Sequence, residues 1–146
     1  MMVKQQQYKN IFDLKDKVAI ITGGYGHLGL SMSKALASFG AKVFVMGRRG
    51  PKKIDFDGNL TFIRCDVTNP TQVKNRIYDI LENEHTIDIL INNAFSEERK
   101  SIEDITKEEW DSGINNILSH SFFCTQAIIP QMLKQGSGSI INISSI

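Results

Sequence analysis

Five short runs rich in Ile and Val, KVAIIT (17–22), AKVFVMG (41–47), LTFIRC (60–65), IDILIN (87–92) and GSIINIS (138–144), are separated for the most part by stretches of helical periodicity. No hairpin-type turn joins any two of them. A strand that returns to its sheet after a helix-length connection does so in parallel, through a right-handed crossover. The expected architecture is therefore an open α/β sheet of parallel strands with helices on both faces.

The intervening segments carry their own boundary signals. HLGLSMSKALASFG (27–40) sets Leu28, Met32, Ala35, Leu36 and Phe39 on one helical face and stops at Gly40, a residue suited to the left-handed position after a helix. NPTQVKNRIYDILEN (69–83) opens with an Asn-Pro start signal and repeats apolar residues at Val73, Ile77, Ile80 and Leu81. The longest helical stretch, 106–135, begins with the capping-box spacing of Thr106 and Glu109 and ends before Gly136. Its apolar residues form two stripes, one of Trp110, Ile114, Ile117, Ser121, Cys124, Ile128 and Met132, the other of Leu118, Phe122, Ile129 and Leu133. More than one side of this helix therefore needs cover, and Pro130 is expected to kink its last turns. RRGPKKIDFDGN (48–59) is polar and breaker-rich and reads as a loop. No repeat, low-complexity tract or linker divides the chain, so residues 1–146 are expected to form one domain.

At 146 residues, 41% apolar and 23% charged, the chain can bury a core, which sets aside disordered and collagen-like classes. Its 17 Lys and Arg against 16 Asp and Glu leave a net charge of +1, too small a field to gather nucleic acid or an anionic membrane surface. The opening MMVKQQQYKN lacks the apolar core of a secretory signal, and no stretch reaches the roughly 20 apolar residues of a bilayer span. A soluble cytoplasmic protein is expected. Cys65 and Cys124, without CxxC or His-rich surroundings, read as reduced thiols, and His27, His85 and His120 show no metal-ligand spacing.

The first strand runs at Thr22 into TGGYGHLG, with Gly23, Gly24, Gly26 and Gly29 where a helix begins. Glycine lets the backbone approach a pyrophosphate, and the unpaired amides and positive dipole end of the helix attract its charge. A tight turn without a ligand rarely needs so many glycines.

Four motifs follow in order along the chain: Thr22-Gly23-x-x-Gly26-x-x-Gly29, Asp66-Val67, Asn92-Asn93-Ala94 and Asn142-Ile143-Ser144-Ser145. On these the chain, from about Leu14 to its last residue, resembles the short-chain dehydrogenase/reductase family. The resemblance implies a Rossmann-type doubly wound parallel sheet, here ending after the fifth strand, and hydride transfer between NAD(P) and a small-molecule carbonyl or alcohol. It implies a homo-oligomer as well, the outer face of the long helix pairing with the next helix and with another subunit.

Residue roles come with the resemblance. Thr22, Gly23, Tyr25, Gly26, His27 and Leu28 would form the cofactor turn. Asp66 would accept from the adenine amino group with the Val67 backbone beside it, and Asn93 and Ala94 would line the ribose. Asn92 would tie adjacent strands, and Ser145 would polarise the substrate carbonyl. Arg48 stands where the family selects its cofactor. A carboxylate there would bind the ribose 2′-hydroxyl, whereas a guanidinium pairs with a 2′-phosphate, so NADP is favoured over NAD.

The chain also departs from the pattern. His27 holds the usual position of the second glycine, with Gly26 one residue earlier, and Phe95 replaces a glycine. Counting from Trp110, Ile117 fills the place of the family's catalytic asparagine, while Asn116 and Asn115 lie one and two residues earlier. Each step turns a helical side chain by about 100°, so neither replaces it without a local bulge. The family's tyrosine, and the lysine four residues after it, follow the serine. None of Tyr8, Tyr25 and Tyr78 has a lysine four positions on. Residues 1–146 are thus expected to be the N-terminal cofactor-binding part of an oxidoreductase, without turnover alone. The alternatives are a non-catalytic dinucleotide-binding module and an inactive truncated fragment.

Overall fold

In a computed structural model describing residues 11–50, 58–95 and 100–144, five parallel strands make one sheet. They are β1 (Val18–Thr22), β2 (Lys42–Gly47), β3 (Leu60–Arg64), β4 (Ile89–Asn92) and β5 (Ser139–Asn142), in the order β3-β2-β1-β4-β5. The chain starts mid-sheet, builds outward to β3, then crosses back to place β4 on the other side of β1. Val18 lies opposite Lys42 on β2, and Ala19 lies opposite Ile89 on β4. That reversal opens a crevice beyond the strand ends between β1 and β4, where sheets of this kind take their ligands.

All five residues of β1 are buried, because successive side chains feed two different cores. Val18 and Ile20 join Phe44, Met46 and Leu90 under helices α2 (Pro70–Glu84) and α4 (His120–Gln135), which contribute Val73, Ile77, Ile80, Cys124 and Ile128. Ala19 and Ile21 join Val43, Val45 and Ile91 on the opposite face, under α1 (His27–Ser38). The sheet is thus covered on both sides, as the alternation of segments requires. Asp88 pins the start of β4 to that of β1, accepting from Lys17 Nζ at 2.9 Å and from the Val18 amide at 3.0 Å.

The expected helix boundaries are present for the expected reasons. The Asn69 side chain accepts from the Gln72 amide at 3.1 Å with Pro70 first in α2, and Thr106 and Glu109 make both bonds of a capping box at the start of α3 (Lys107–Ile114). Gly40 follows α1 at φ +100°, and Gly136 follows α4 at φ +69°. Of the 48–59 segment, residues 51–57 lie outside the described residues; the remainder belongs to no helix or strand.

Two helical faces differ from expectation. α1 buries Gly29 and Ser33, while Leu28 and Phe39 stay exposed at 62% and 48%. Small residues win because the helix presses on the glycine turn, where the Ser33 hydroxyl donates to the Gly24 carbonyl at 3.2 Å. The long helix is unbroken from Lys107 to Gln135 but not regular throughout. A π turn at Asn115–Ser119 separates α3 from α4, and the first apolar stripe breaks there. Cys124, Ile128 and Met132 are buried and His120 joins them in place of Ser121, but Trp110, Ile114 and Ile117 are exposed. One extra residue in a turn rotates everything after it by about 100° relative to what precedes it. α4 runs through Pro130 to Gln135.

Candidate dinucleotide-binding site

A cleft of about 680 Å³ lies at the carboxyl ends of the strands, within the size range of small-molecule sites. The segments that leave the carboxyl ends of β1, β2, β3 and β4 each supply a part. Gly23, Tyr25, Gly26, His27 and Leu28 come from the turn after β1, Arg48 and Arg49 follow β2, Asp66 and Val67 follow β3, and Asn93, Ala94 and Phe95 follow β4.

Packing explains three of the turn's glycines. Gly23 sits at φ +63°, and a Cβ there would lie 2.8 Å from the Ala94 Cα. A Cβ on Gly24 would meet Val45 Cγ1 at 2.6 Å, and one on Gly29 would meet the Gly23 carbonyl oxygen at 2.4 Å. These contacts bring the start of α1 against the strand ends. Gly26, the residue before that helix, provides no side-chain cap, and no acid occupies the first turn. A helix start without an acidic or capping side chain, facing a cleft, fits a phosphate group.

Thr22 lies behind the cleft wall rather than in it. Fully buried, its hydroxyl accepts from the Asn93 amide at 2.9 Å and the Ala94 amide at 3.0 Å. Asn93 answers by donating from Nδ2 to the Thr22 and Gly23 carbonyls at 3.1 and 3.2 Å. Thr22 therefore shapes the site by locking the β1 turn to the β4 loop. Asn92 ties β4 to its neighbours, its Nδ2 donating to Asn142 Oδ1 at 2.8 Å and Thr125 Oγ1 at 3.3 Å.

On the other side of the cleft, Asp66 Oδ1 accepts from the Thr68 amide at 3.1 Å and the Thr68 hydroxyl at 2.8 Å, so the carboxylate is oriented by its own turn. The Tyr25 ring packs on Phe62 with centroids 5.5 Å apart, and burial raises its phenol pKa. Cys65 is buried in the wall. Burial pushes its thiol up to about 11 and that of Cys124 to about 12, so both are protonated and inert at neutral pH. Gly47, Cys65 and Thr68 also line the cleft, each the chain neighbour of an expected site residue, Arg48, Asp66 or Val67. Adjacency along a loop was the available signal.

The bulge that an asparagine would need is present. Within the π turn, Asn116 lines the cleft, its Nδ2 donating to Ser112 Oγ at 3.2 Å, whereas Asn115 is exposed away from it. Asn116 also borders a second groove of about 500 Å³, which Ile117 lines with Trp110, Ile114 and Leu118 without reaching the first. Ser145 lies outside the described residues.

The short chain dehydrogenase family profile matches residues 17–146. The D-xylose 1-dehydrogenase of Caulobacter vibrioides is 34% identical over 140 residues, which cover 91% of this chain and 55% of that protein. The ligand-free aldohexose dehydrogenase of Thermoplasma acidophilum superposes with a TM-score of 0.82 at 35% identity, over 91% of this chain and 51% of that one. A short chain dehydrogenase of Leptospira borgpetersenii with bound NAD+ superposes with a TM-score of 0.86 at 26% identity, over 94% of this chain and 54% of that one. The chain spans about half the length of the relatives it matches. Agreement in sequence and in three dimensions along almost its whole length leaves one assignment: this chain belongs to the short chain dehydrogenase family.

Proposed function

We infer that the protein is an NAD(P)-dependent oxidoreductase acting on a small-molecule alcohol or carbonyl, with residues 1–146 as its cofactor-binding part. The observation that carries this reading is the cleft at the β1–β4 reversal, which brings a glycine-bounded helix start, Asp66, Asn93 and Asn116 around one cavity. The pyrophosphate would rest on the Gly23–Leu28 turn. Adenine would lie by Asp66 and Val67, and the nicotinamide ribose by Asn93 and Ala94. A bound cofactor would donate hydride to a carbonyl or accept it from an alcohol; Asn116 and Ser145 would orient that reacting group beside it.

Arg48 and Arg49, exposed at the cleft, support a preference for NADP, because guanidinium groups offer a 2′-phosphate charge-assisted bonds. The two free, buried cysteines support a reducing, cytoplasmic setting. Leu118, Phe122 and Leu133, all exposed on the long helix, support self-association. Among the described residues, no helix is long and apolar enough to cross a membrane. Relatives named for D-xylose and aldohexose make polyhydroxylated carbonyl compounds the first substrates to assay.

The test is titration of the whole protein, as its source makes it, with NADPH and NADH, followed by reduced-nicotinamide fluorescence. Binding of both, NADPH about tenfold tighter, is expected for the loss or gain of one charge-assisted contact. Binding of neither overturns the reading, and binding without turnover of any carbonyl compound favours a non-catalytic dinucleotide module.

A further inference from the structure

The π turn at Asn115–Ser119 is the one place where the long helix leaves regular geometry, and side chains just beyond it are bonded to two of its carbonyls. His120, 2% exposed, has Nδ1 at 2.7 Å from the Asn116 carbonyl oxygen. The Ser121 hydroxyl donates to the next carbonyl, that of Ile117, at 3.2 Å and lies 3.3 Å from His120 Nε2. A carbonyl can only accept, so Nδ1 carries the proton of that bond. A side chain that inserts into the backbone ladder four residues upstream is a recognised cause of local helix distortion. Asn116, whose carbonyl is held in this way, also lines the cleft, its side-chain Nδ2 donating to Ser112 Oγ at 3.2 Å.

We propose that His120 is a positioning residue: through Nδ1 it holds the Asn116 carbonyl, props open the π turn and so presents the Asn116 side chain to the dinucleotide cleft. The inference rests on the dinucleotide reading above. His120 itself does not line the cleft and acts only through Asn116. Without the imidazole donor, the turn relaxes toward regular α geometry, and Asn116 swings by part of the roughly 100° that separates successive residues, out of the wall.

Two amides separate this role from simple core filling. In Asn, Nδ2 stands where His has Nδ1; in Gln, Nε2 stands where His has Nε2. His120→Asn therefore keeps the bond to Asn116 and His120→Gln loses it, although Gln fills the volume better. The readout is the Asn116 side-chain amide in the 15N-labelled whole protein, followed while NADP+ is added. The expected result is a dinucleotide-induced shift in the native protein and in His120→Asn, and its loss in His120→Gln and His120→Leu while the Val67 amide still responds. An Asn116 response that persists in His120→Gln or His120→Leu, or that vanishes in His120→Asn while Val67 responds, overturns the positioning role alone. If neither Asn116 nor Val67 responds in the native protein, the dinucleotide reading falls, and this inference with it.

Discussion

The two ends of the cleft are built by different means. At the end formed by β1, β2 and β3, close packing at glycines does the shaping. Gly23, Gly24 and Gly29 sit at contacts where a Cβ would have 2.4–2.8 Å to its nearest neighbour, and the Thr22 hydroxyl bonds two amides of the β4 loop. At the end formed by α3, the π turn and α4, side chains do the shaping through His120, Ser121 and Asn116, beside apolar residues that remain open to solvent. The first end is rigid because almost any added atom collides. The second is adjustable, since a helix held out of register by side-chain bonds has a nearby regular alternative.

That contrast is sharpest at Gly29. Gly29→Ala forces a Cβ against the Gly23 backbone, with no flexible side chain to yield, and should cost about 3 kcal/mol, the upper end of overpacking penalties, in urea denaturation. A stability within about 0.5 kcal/mol of native would show that this end is not rigid. Thr22→Val removes the acceptor shared by the Asn93 and Ala94 amides and should cost about 2 kcal/mol, with Thr22→Ser recovering most of it. Arg48→Ala, at an exposed position, should leave stability alone but weaken NADPH about tenfold relative to NADH. Equal weakening of both would remove the cofactor preference from this residue.

The adjustable end predicts smaller effects. Burial lowers the His120 pKa, so the unfolded chain takes up a proton at this residue before the folded one does. Stability should therefore decline as pH falls below the ordinary histidine value of about 6.5, and His120→Asn should reduce that decline in urea midpoints compared at pH 7.5 and 5.5. A variant with the same pH slope as the native protein would show that other groups carry it. Smallest of all, Leu133→Gln on the exposed face of α4 should change monomer stability by no more than about 0.5 kcal/mol while lowering the sedimentation-derived mass of any oligomer. An unchanged mass would take Leu133 out of the assembly.

The rigid end was largely legible in the amino-acid order. The glycine turn, Asp66, Asn93 and Arg48 are each recognisable within a few residues, and they converge because parallel strands all end on the same side of a sheet. Thr22 was legible as part of the motif but not in its role, since a buried hydroxyl and a ligand-facing one look alike in a string of letters. α1 misled for a related reason. Hydrophobicity pointed to Leu28 and Phe39, whereas close approach to the turn selected Gly29 and Ser33.

From sequence alone come the order of strands and helices, the caps at Asn69 and Thr106, the left-handed ends at Gly40 and Gly136, and the placement of a glycine-rich turn after β1. These depend on backbone conformation and hydrogen bonding over a handful of residues. Tertiary structure alone decided which asparagine reaches the cleft. The choice between Asn115, Asn116 and Ile117 is one of helical phase, and phase is set only when α4 buries His120, Cys124 and Ile128 against the sheet and α2 while the capping box anchors α3 at its other end. The π turn absorbs the mismatch between those two anchors, and neither anchor can be read from the five residues that form it.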